Sequence, residues 1–402
     1  MKRIQRIFEI IVNNVENNPT PFKRYLFLFG ALLTLRLALE FFSSHRLFTL
    51  DDILHIGLWF IFIVVSFLIM LHLFSGEKII RVARLVIVFF TIALTAPIID
   101  LLITKGVGAK MNYLSLNSWK DVLWSYVTIG GSTFSRGATP GIRIEIVLLV
   151  LASFNYVRTK KNSIITGLIA AICIYTVLFL SGAVPLILGY MVNTFRLQYQ
   201  HDDQSTLLLL LTLDIFLMFI ALFRHSPKRI FEILKATPWL AILSGLMCFY
   251  MGVYLSLRNY AGNWILTPTT LFWFPLLVFL AICFAGYTGL QRMQSGKYDS
   301  IKNALVLIIL IIGCMISAKT FFTSALVWGL LYILNEPPLQ LNSIPILRNV
   351  LTGTIYLSTA LVGFTTFNAP MVGFPPQWML VLLVTTILAS LFIEISRRKL
   401  YK

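Results

Sequence analysis

The chain has 402 residues, of which 58% are hydrophobic and 12% are charged, and its formal net charge is +17. This composition excludes a large soluble domain and indicates a membrane protein, because most residues must face lipid. The positive charge does not indicate nucleic-acid binding, since the cations lie in short segments beside apolar runs rather than on one continuous face. We expect anionic lipid headgroups at the cytoplasmic face as partners, and no nucleic acid.

An amphipathic stretch occupies residues 1–20. Its apolar residues recur at helical spacing: Ile4, Ile7, Phe8, Ile11, Val12 and Val15. We expect a helix in the cytoplasmic interface that orients the first membrane span; a partner-binding helix is the alternative. A cleavable signal peptide is not expected, because polar residues interrupt the apolar positions and no small-residue cleavage site follows.

About twelve hydrophobic segments then follow one another along the chain. A membrane-spanning helix needs roughly 20 mostly apolar residues. We predict spans at about 25–44, 52–74, 85–104, 142–157, 163–190, 205–223, 238–257, 268–288, 303–318, 320–334, 349–367 and 377–395. The sequence therefore predicts an all-α protein, a polytopic transmembrane helix bundle of about 12 spans.

The loop charges indicate the orientation of these spans. Most of the 33 Lys and Arg residues fall in loops on one side of the predicted membrane, and each loop on that side carries positive charge. The opposite loop at 368–376 carries none. Cytoplasmic loops retain Lys and Arg, so we predict that both termini are cytoplasmic and that the protein lies in the cytoplasmic (inner) membrane.

Two predicted spans contain ionisable residues away from their ends. Arg36 and Glu40 lie four residues apart in the first span, so one helical face presents both and they can neutralise each other. Asp214 lies within the sixth span without a basic residue nearby in sequence. It must pair across helices, stay protonated or face a cavity. A single aspartate is too little to indicate an ion pathway, which needs several such groups.

A second polar group lies near the predicted outer face. Asp100 follows Pro97 near the end of the third span, and Arg143 and Glu145 open the fourth. Three interpretations stay open for these residues: a buried structural network, a ligand-binding pocket, or simple exposure to solvent.

Motifs of soluble enzymes and metal sites are absent from the sequence. The four cysteines lie in predicted spans without a CxxC pair, so we interpret them as small packing groups rather than a metal or redox site. The five histidines lack the i, i+4 spacing of a metal site on a helix. No GxSxG elbow, P-loop or dinucleotide fingerprint occurs.

A basic amphipathic linker, "RHSPKRIFEILKATPWL" at 224–240, divides the chain. We predict two membrane modules, residues 1–223 and residues 224–402, with six spans each. The modules show no obvious internal repeat, because the Asp100 and Arg143 features of the first have no counterpart in the second. This makes a transporter built from two repeats the least favoured function.

The second module resembles the UbiA superfamily of intramembrane prenyltransferases. The segment "KRIFEILKATPWLAILSGLMCFYMGVYLSL" looks like the family's basic interfacial opening and first span. The segment "LYILNEPPLQLNSIPILRNVLTGTIYLSTALVGF" looks like its cytoplasmic proline-containing turn and fifth span. The similarity covers about 225–396 and implies an isoprenoid or polyprenyl lipid as substrate or ligand.

In that family, Asp-rich loops after the second and sixth spans bind a prenyl diphosphate through magnesium. Here the first of these loops, at "FAGYTGLQRMQSGKYDSIKN", contains a single acid. The second loop and the last three family spans are expected to be missing. The resemblance therefore implies Mg²⁺ only if a prenyl diphosphate is used. Its candidate substrate-binding residues are Tyr287, Arg292, Lys297, Asp299 and Arg348.

Two classes of function follow from the sequence. The first is a prenyltransferase-like protein that acts on or binds an isoprenoid lipid, with or without retained catalysis. The second is a non-catalytic membrane subunit or scaffold that binds lipid or another membrane protein. The basic residues of the UbiA-like loop are compatible with both, because they can meet a diphosphate or a lipid headgroup, or can simply set the topology.

Overall fold

A computed structural model describes residues 2–44, 50–109, 119–130, 138–183, 203–236, 239–260, 299–316, 318–335 and 341–366, and four single positions at 339, 380, 384 and 387. All regular secondary structure within these ranges is helical. The described residues form two compact units, one up to Pro227 and one from Lys228 onward.

The first unit is built from nine α-helices and one 3₁₀ turn within the described ranges. They are α1 (Lys2–Glu16), α2 (Phe22–Ser44), α3 (Leu50–Ser75), α4 (Ile79–Phe89), the 3₁₀ turn Phe90–Leu94, α5 (Thr95–Ile103), α6 (Trp119–Val127), α7 (Pro140–Lys161), α8 (Ile164–Gly182) and α9 (Asp203–His225). The second unit contains α10 (Pro227–Ala236), α11 (Trp239–Tyr260), α12 (Asp299–Ile316), α13 (Ala318–Asn335), a 3₁₀ turn at Leu341–Ser343 and α14 (Pro345–Thr366).

Each predicted span that falls in the described ranges coincides with a helix, whereas the spans predicted at 268–288 and 377–395 lie largely outside them. Among the described residues, five helices are long and apolar enough to cross a membrane: Phe22–Ser43, Asp52–Ser75, Ile79–Ile103, Pro140–Lys161 and Ile164–Gly182. This confirms that the described part of the chain is all-helical and contains helices suited to span a membrane. The count of twelve spans and the cytoplasmic termini stay predictions.

The third span differs in form from the predicted continuous helix. It begins earlier, at Ile79, and a 3₁₀ turn over Phe90–Leu94 separates α4 from α5. Pro97 lies in the first turn of α5. Proline cannot donate the backbone hydrogen bond that a continuous helix would need there and it crowds the preceding turn. The break therefore has a local cause, and it redirects α5 so that Asp100 approaches α7.

Helices α7 and α8 form an antiparallel pair with capped ends. Thr139 accepts a hydrogen bond from the backbone N–H of Ile142 (3.2 Å), and Pro140 occupies the first helical position, where its missing N–H costs nothing. Asn162 ends α7 in the left-handed conformation, with φ of 51°, and Ser163 caps α8. These local signals fix where the two helices begin and end.

The amphipathic helix α1 has two apolar sides: one packs against the helix bundle and the other is exposed. Val12 is buried in the main core of the unit, which also contains Leu71, Leu85 and Tyr156. On its other side Ile7, Ile10 and Ile11 are exposed. We therefore expect α1 to contact lipid through that exposed edge while its buried face is held by the protein.

In the second unit, α11 and α14 cross in very close contact. A Cβ atom on Gly252 would lie 1.9 Å from the carbonyl oxygen of Ala360, and one on Gly363 would lie 2.1 Å from that of Phe249. Small residues at a crossing let two helix backbones approach closely, which stabilises helix pairs in lipid, where the hydrophobic effect between helices is weak. The small buried core here contains Leu255, Leu357, Ala360 and Phe364.

We predict that Gly252→Ala destabilises the second unit, because its methyl group meets the α14 backbone. The expected cost is about 1–3 kcal/mol, typical of overpacking. The matched control is Gly245→Ala in the same helix, where a Cβ atom has no neighbour within 4 Å. The control should be neutral or stabilising by about 0.5–1 kcal/mol, because alanine favours a helix. Thermal unfolding in detergent measures both, and equal effects would contradict the close crossing.

Candidate functional site

Four ionisable residues from α2, α5 and α7 are buried in the first unit: Arg36, Glu40, Asp100 and Glu145. We call these four residues the buried polar cluster. They come from three separate spans, and the charges of Arg36, Glu40 and Asp100 act on Glu145. The structure thus brings together residues that the sequence suggested as two separate groups.

Arg36 and Glu40 form a buried ion pair on one face of α2. Arg36 Nη1 lies 2.6 Å from Glu40 Oε2, and the two side chains are 1% and 6% exposed. The Arg36 guanidinium also lies 5.1 Å from the ring centroid of Phe60 on α3. A paired guanidinium against an aromatic face is a favourable way to hold a cation in an apolar environment. This geometry accounts for Arg36 Nη1 without a ligand, whereas Arg36 Nε has no hydrogen-bond partner among the described residues.

Asp100 joins α5 to the beginning of α7. Its carboxylate accepts hydrogen bonds from Thr139 Oγ1 (2.5 Å) and from the backbone N–H of Gly141 (2.8 Å). A carboxylate at a helix N-terminus also interacts favourably with the helix dipole. The contact requires glycine at 141, since a Cβ atom there would lie 2.0 Å from the carbonyl oxygen of Ala96. Asp100 is therefore a tertiary cap for α7.

Glu145 lies one helical turn beyond Gly141 and is 7% exposed. In the part of the chain that the structure describes, its carboxylate takes part in no hydrogen bond or salt bridge, unlike those of Glu40 and Asp100. The buried polar cluster contains three carboxylates and one guanidinium. Since Arg36 is paired with Glu40 and Asp100 caps α7, Glu145 is the acid whose charge is least compensated.

Glu145 faces a cavity of about 60 Å³ between α3, α7 and α8. Its described lining is apolar and aromatic apart from the Glu145 carboxylate and one tyrosine, and it includes Trp59, Ile142, Leu149, Tyr175, Leu178 and Phe179. The Tyr175 hydroxyl donates a hydrogen bond to the carbonyl oxygen of Tyr126, so it is already committed. The cavity is smaller than a complete small-molecule site, which occupies about 300–1,000 Å³, so it has room for a short apolar segment of a ligand beside one polar group.

The remaining intramembrane candidates lie elsewhere. Arg143 Nε donates to the carbonyl oxygen of Ala138 (3.1 Å), so part of its guanidinium stabilises the segment before α7. Asp214 lies in α9 and is 2% exposed, and neither of its carboxylate oxygens has a hydrogen-bond partner within the described ranges. Arg143 is therefore partly explained by local structure, whereas the surroundings of Asp214 leave its carboxylate uncompensated.

Two of the five candidates from the UbiA resemblance, Asp299 and Arg348, lie in the described part of the second unit, so their common site stays a prediction. Tyr287, Arg292 and Lys297 lie outside the described residues. Asp299 is the first residue of α12, where an acid favours helix formation through the dipole. Arg348 lies in the first turn of α14 and is partly exposed. A cation at a helix N-terminus is not favoured by the dipole, so the helix itself does not explain Arg348.

A second buried network, at the opposite end of α7, was not anticipated from the sequence. The carboxylate of Glu16 accepts hydrogen bonds from Tyr156 Oη (2.6 Å) and Lys160 Nζ (2.5 Å), and Lys160 lies 3.4 Å from Glu77. Arg84 Nη1 donates to the carbonyl oxygens of Glu16 (3.1 Å) and Asn18 (2.5 Å). We call this the Glu16 network. It fastens α1 and the turn after it to α4 and α7.

Sequence reasoning missed the Glu16 network because Glu16 and Lys160 are separated by 144 positions. The available signal was an acid, Glu16, at the last position of an amphipathic helix. The described His, Cys, Asp and Glu residues form no group of three that could hold a metal ion. Cys173, Cys248 and Cys314 are free thiols, and Cys283 lies outside the described ranges.

We predict that Arg36→Met destabilises the first unit by about 3–5 kcal/mol, because Glu40 loses its cation in an apolar environment. The double variant with Glu40→Leu should recover most of this loss, since replacing a buried ion pair by apolar groups is often neutral or stabilising. Thermal unfolding of both variants in lipid nanodiscs measures the effect. An Arg36→Met protein as stable as wild type would show that the pair contributes nothing.

We predict opposite effects when the two buried aspartates of this unit are replaced by leucine. Asp100→Leu should cost about 2–3 kcal/mol, because the first turn of α7 loses two hydrogen bonds to a carboxylate. Asp214→Leu should be neutral or stabilising by about 1–3 kcal/mol, since it removes a buried group with no hydrogen-bond partner among the described residues. Unfolding in nanodiscs tests both. A destabilisation at Asp214 equal to that at Asp100 would contradict the prediction.

Comparison of the chain with protein-family models, with curated proteins and with solved structures found no match. The residues and their geometry therefore carry the functional argument. The feature with the clearest chemical meaning in the described part of the chain is the apolar cavity that Glu145 faces.

Proposed function

We propose that this integral membrane protein binds an isoprenoid or polyprenyl lipid, with part of its apolar chain in the cavity between α3, α7 and α8. The observation that carries the proposal is the cavity itself. Three helices that are long and apolar enough to span a membrane surround it, and its lining is almost entirely apolar. A lipid chain gains free energy from filling such a space because an empty apolar cavity loses packing contacts.

The aromatic side chains of the cavity support a methyl-branched or unsaturated chain. Trp59, Tyr175 and Phe179 line the space. Such rings bury large apolar areas with little loss of side-chain freedom. The resemblance of the second module to the UbiA superfamily supports the same class of lipid from an independent part of the sequence.

Binding, rather than prenyl transfer, is the function proposed for this lipid. A UbiA-type reaction, in which diphosphate is the leaving group, needs several carboxylates to hold magnesium ions. The corresponding loop contains Asp299 as its single acid, beside the cations Arg292 and Lys297. These residues do not fit a magnesium–diphosphate site, so no catalytic step is derived from them.

Anionic headgroups are the second lipid partner that we propose. Arg6, Lys23, Arg24 and Lys161 are exposed beside the Glu16 network, at one end of the first unit. Cations at a membrane surface each contribute about 1 kcal/mol of attraction to anionic lipid. We propose that this end faces the cytoplasm, in agreement with the loop charges, and that the protein lies in the cytoplasmic (inner) membrane.

We predict that filling the cavity weakens lipid binding. The probe is an isoprenoid alcohol that carries a photoreactive diazirine near the end of its chain. Ile142→Trp replaces an aliphatic side chain of the cavity lining by a large ring, and we expect it to reduce labelling by this probe about tenfold or more. The matched control is Ile144→Trp, two residues along the same helix, where the side chain is 41% exposed and does not line the cavity.

The measurement uses reconstituted full-length protein. The protein is photolabelled with and without competing unlabelled lipid, and the labelled peptides are then mapped. We expect label on α3, α7 or α8 in wild type and in Ile144→Trp. Equal labelling of the two tryptophan variants, or label confined to other helices, would overturn the proposed site.

A further inference from the structure

The state of Glu145 indicates what kind of headgroup the bound lipid has. Its carboxylate is more than nine-tenths buried, lines the cavity and has no hydrogen-bond partner among the residues that the structure describes. A buried charge or acceptor without a partner is costly, so such groups are paired, hydrogen-bonded or protonated. Glu145 therefore points to a ligand group that can satisfy it.

The neighbouring residues cannot supply that group as they stand. The Arg36 guanidinium is engaged with Glu40 at 2.6 Å, and Thr139 Oγ1 and the Gly141 N–H donate to Asp100. Two other side chains of the cavity lining carry polar groups: the Tyr175 hydroxyl donates to the carbonyl oxygen of Tyr126, and Trp59 Nε1 donates to that of Ser181 (3.1 Å). Arg36 Nε has no hydrogen-bond partner among the described residues, but no described donor makes a hydrogen bond or salt bridge to the Glu145 carboxylate, which leaves Glu145 as an open acceptor.

The charge of the buried polar cluster decides the sign of the ligand. The cluster has three acids for one guanidinium, and Arg36 is already paired with Glu40, so an additional negative group in this medium of low dielectric constant would be strongly disfavoured. A phosphate or diphosphate headgroup would meet this excess of acid directly. An uncharged hydroxyl would instead donate a hydrogen bond to Glu145 and add no charge.

We infer that Glu145 recognises the hydroxyl group of an isoprenoid alcohol and discriminates against its phosphorylated forms. The inference rests on the proposed lipid site and names the lipid's headgroup. The Glu145 carboxylate attracts a hydroxyl group, which can donate a hydrogen bond to it, and repels a phosphate. Specific binding sites commonly combine attraction of the right ligand with repulsion of the wrong one. Glu145 acts as a binding residue here; no bond is made or broken.

Three ligands with the same isoprenoid chain test this inference: the free alcohol, its methyl ether and its monophosphate. The ether keeps the chain and the oxygen but cannot donate. Binding to full-length protein in nanodiscs of uncharged lipid is measured by competition against the photoreactive alcohol. In wild type we expect the alcohol to bind about tenfold to a hundredfold more tightly than the ether, as for a hydrogen bond to a charged group, and the monophosphate to bind most weakly.

Two variants separate the hydrogen bond from the charge. Glu145→Leu removes both, so the alcohol and the ether should bind equally and the penalty on the monophosphate should shrink. Glu145→Gln removes the charge but keeps an acceptor oxygen, so the preference for alcohol over ether should persist in part while the monophosphate gains affinity. Ether binding at wild-type strength in both variants serves as the control that the cavity is intact.

The possible outcomes distinguish this inference from the proposed function. If all three ligands bind wild type equally and Ile142→Trp weakens all three, the lipid site stands and the headgroup inference is wrong. If the monophosphate binds as tightly as the alcohol, or if the Glu145 variants keep the wild-type order unchanged, the inference is also overturned. If no ligand competes at the cavity, both the proposed function and the inference fail.

Discussion

A charged group inside a membrane must be paired, hydrogen-bonded or protonated, because the hydrocarbon offers it no water. In the first unit this constraint determines which helices meet. Asp100 binds the first turn of α7, Arg36 is held between Glu40 and the ring of Phe60, and Glu16 receives donors from Tyr156 and Lys160. These contacts supply specificity that apolar packing against lipid-like neighbours cannot, since leucine and lipid tails are equally apolar.

The two ends of α7 illustrate how this specificity is distributed. Its N-terminus is capped by Asp100 from α5, and its C-terminal turn is tied through Lys160 to α1 and to the turn before α4. The residues between these ends are mostly apolar and form the wall of the core and of the cavity. A helix fixed at both ends by buried hydrogen bonds provides a rigid wall, and Glu145 is placed on it with little freedom to move. A binding site benefits from such preorganisation, because little entropy is lost when the ligand arrives.

The two halves of the chain support the proposed function in different ways. For the second predicted module, the proposed class of lipid comes from the expected resemblance to intramembrane prenyltransferases, but the loop that corresponds to their diphosphate site contains a single acid. The first unit contains three buried acids near one guanidinium, and one of them, Glu145, lines the apolar cavity. Acids placed in this way favour a neutral donor over a diphosphate. The proposed isoprenoid alcohol is therefore compatible with the acids of both halves of the chain. A prenyl diphosphate is not, because neither half arranges its acids to hold magnesium ions.

Hydropathy determined that the chain is helical and membrane-spanning, because the length and apolarity of a segment are local properties. Local chemistry also predicted the pairing of Arg36 with Glu40, since residues four apart in a helix share a face. Asp100 and Glu145 show the limit of this reasoning. The sequence placed both near the outer face and left open whether they form a structural network, a pocket or an exposed group. Only the tertiary structure shows that Asp100 caps α7 while Glu145, one turn beyond that cap, faces a cavity, because the partners of a buried side chain come from other helices. The same reason hid the Glu16 network, whose members are neighbours in space and separated by most of the first unit in sequence.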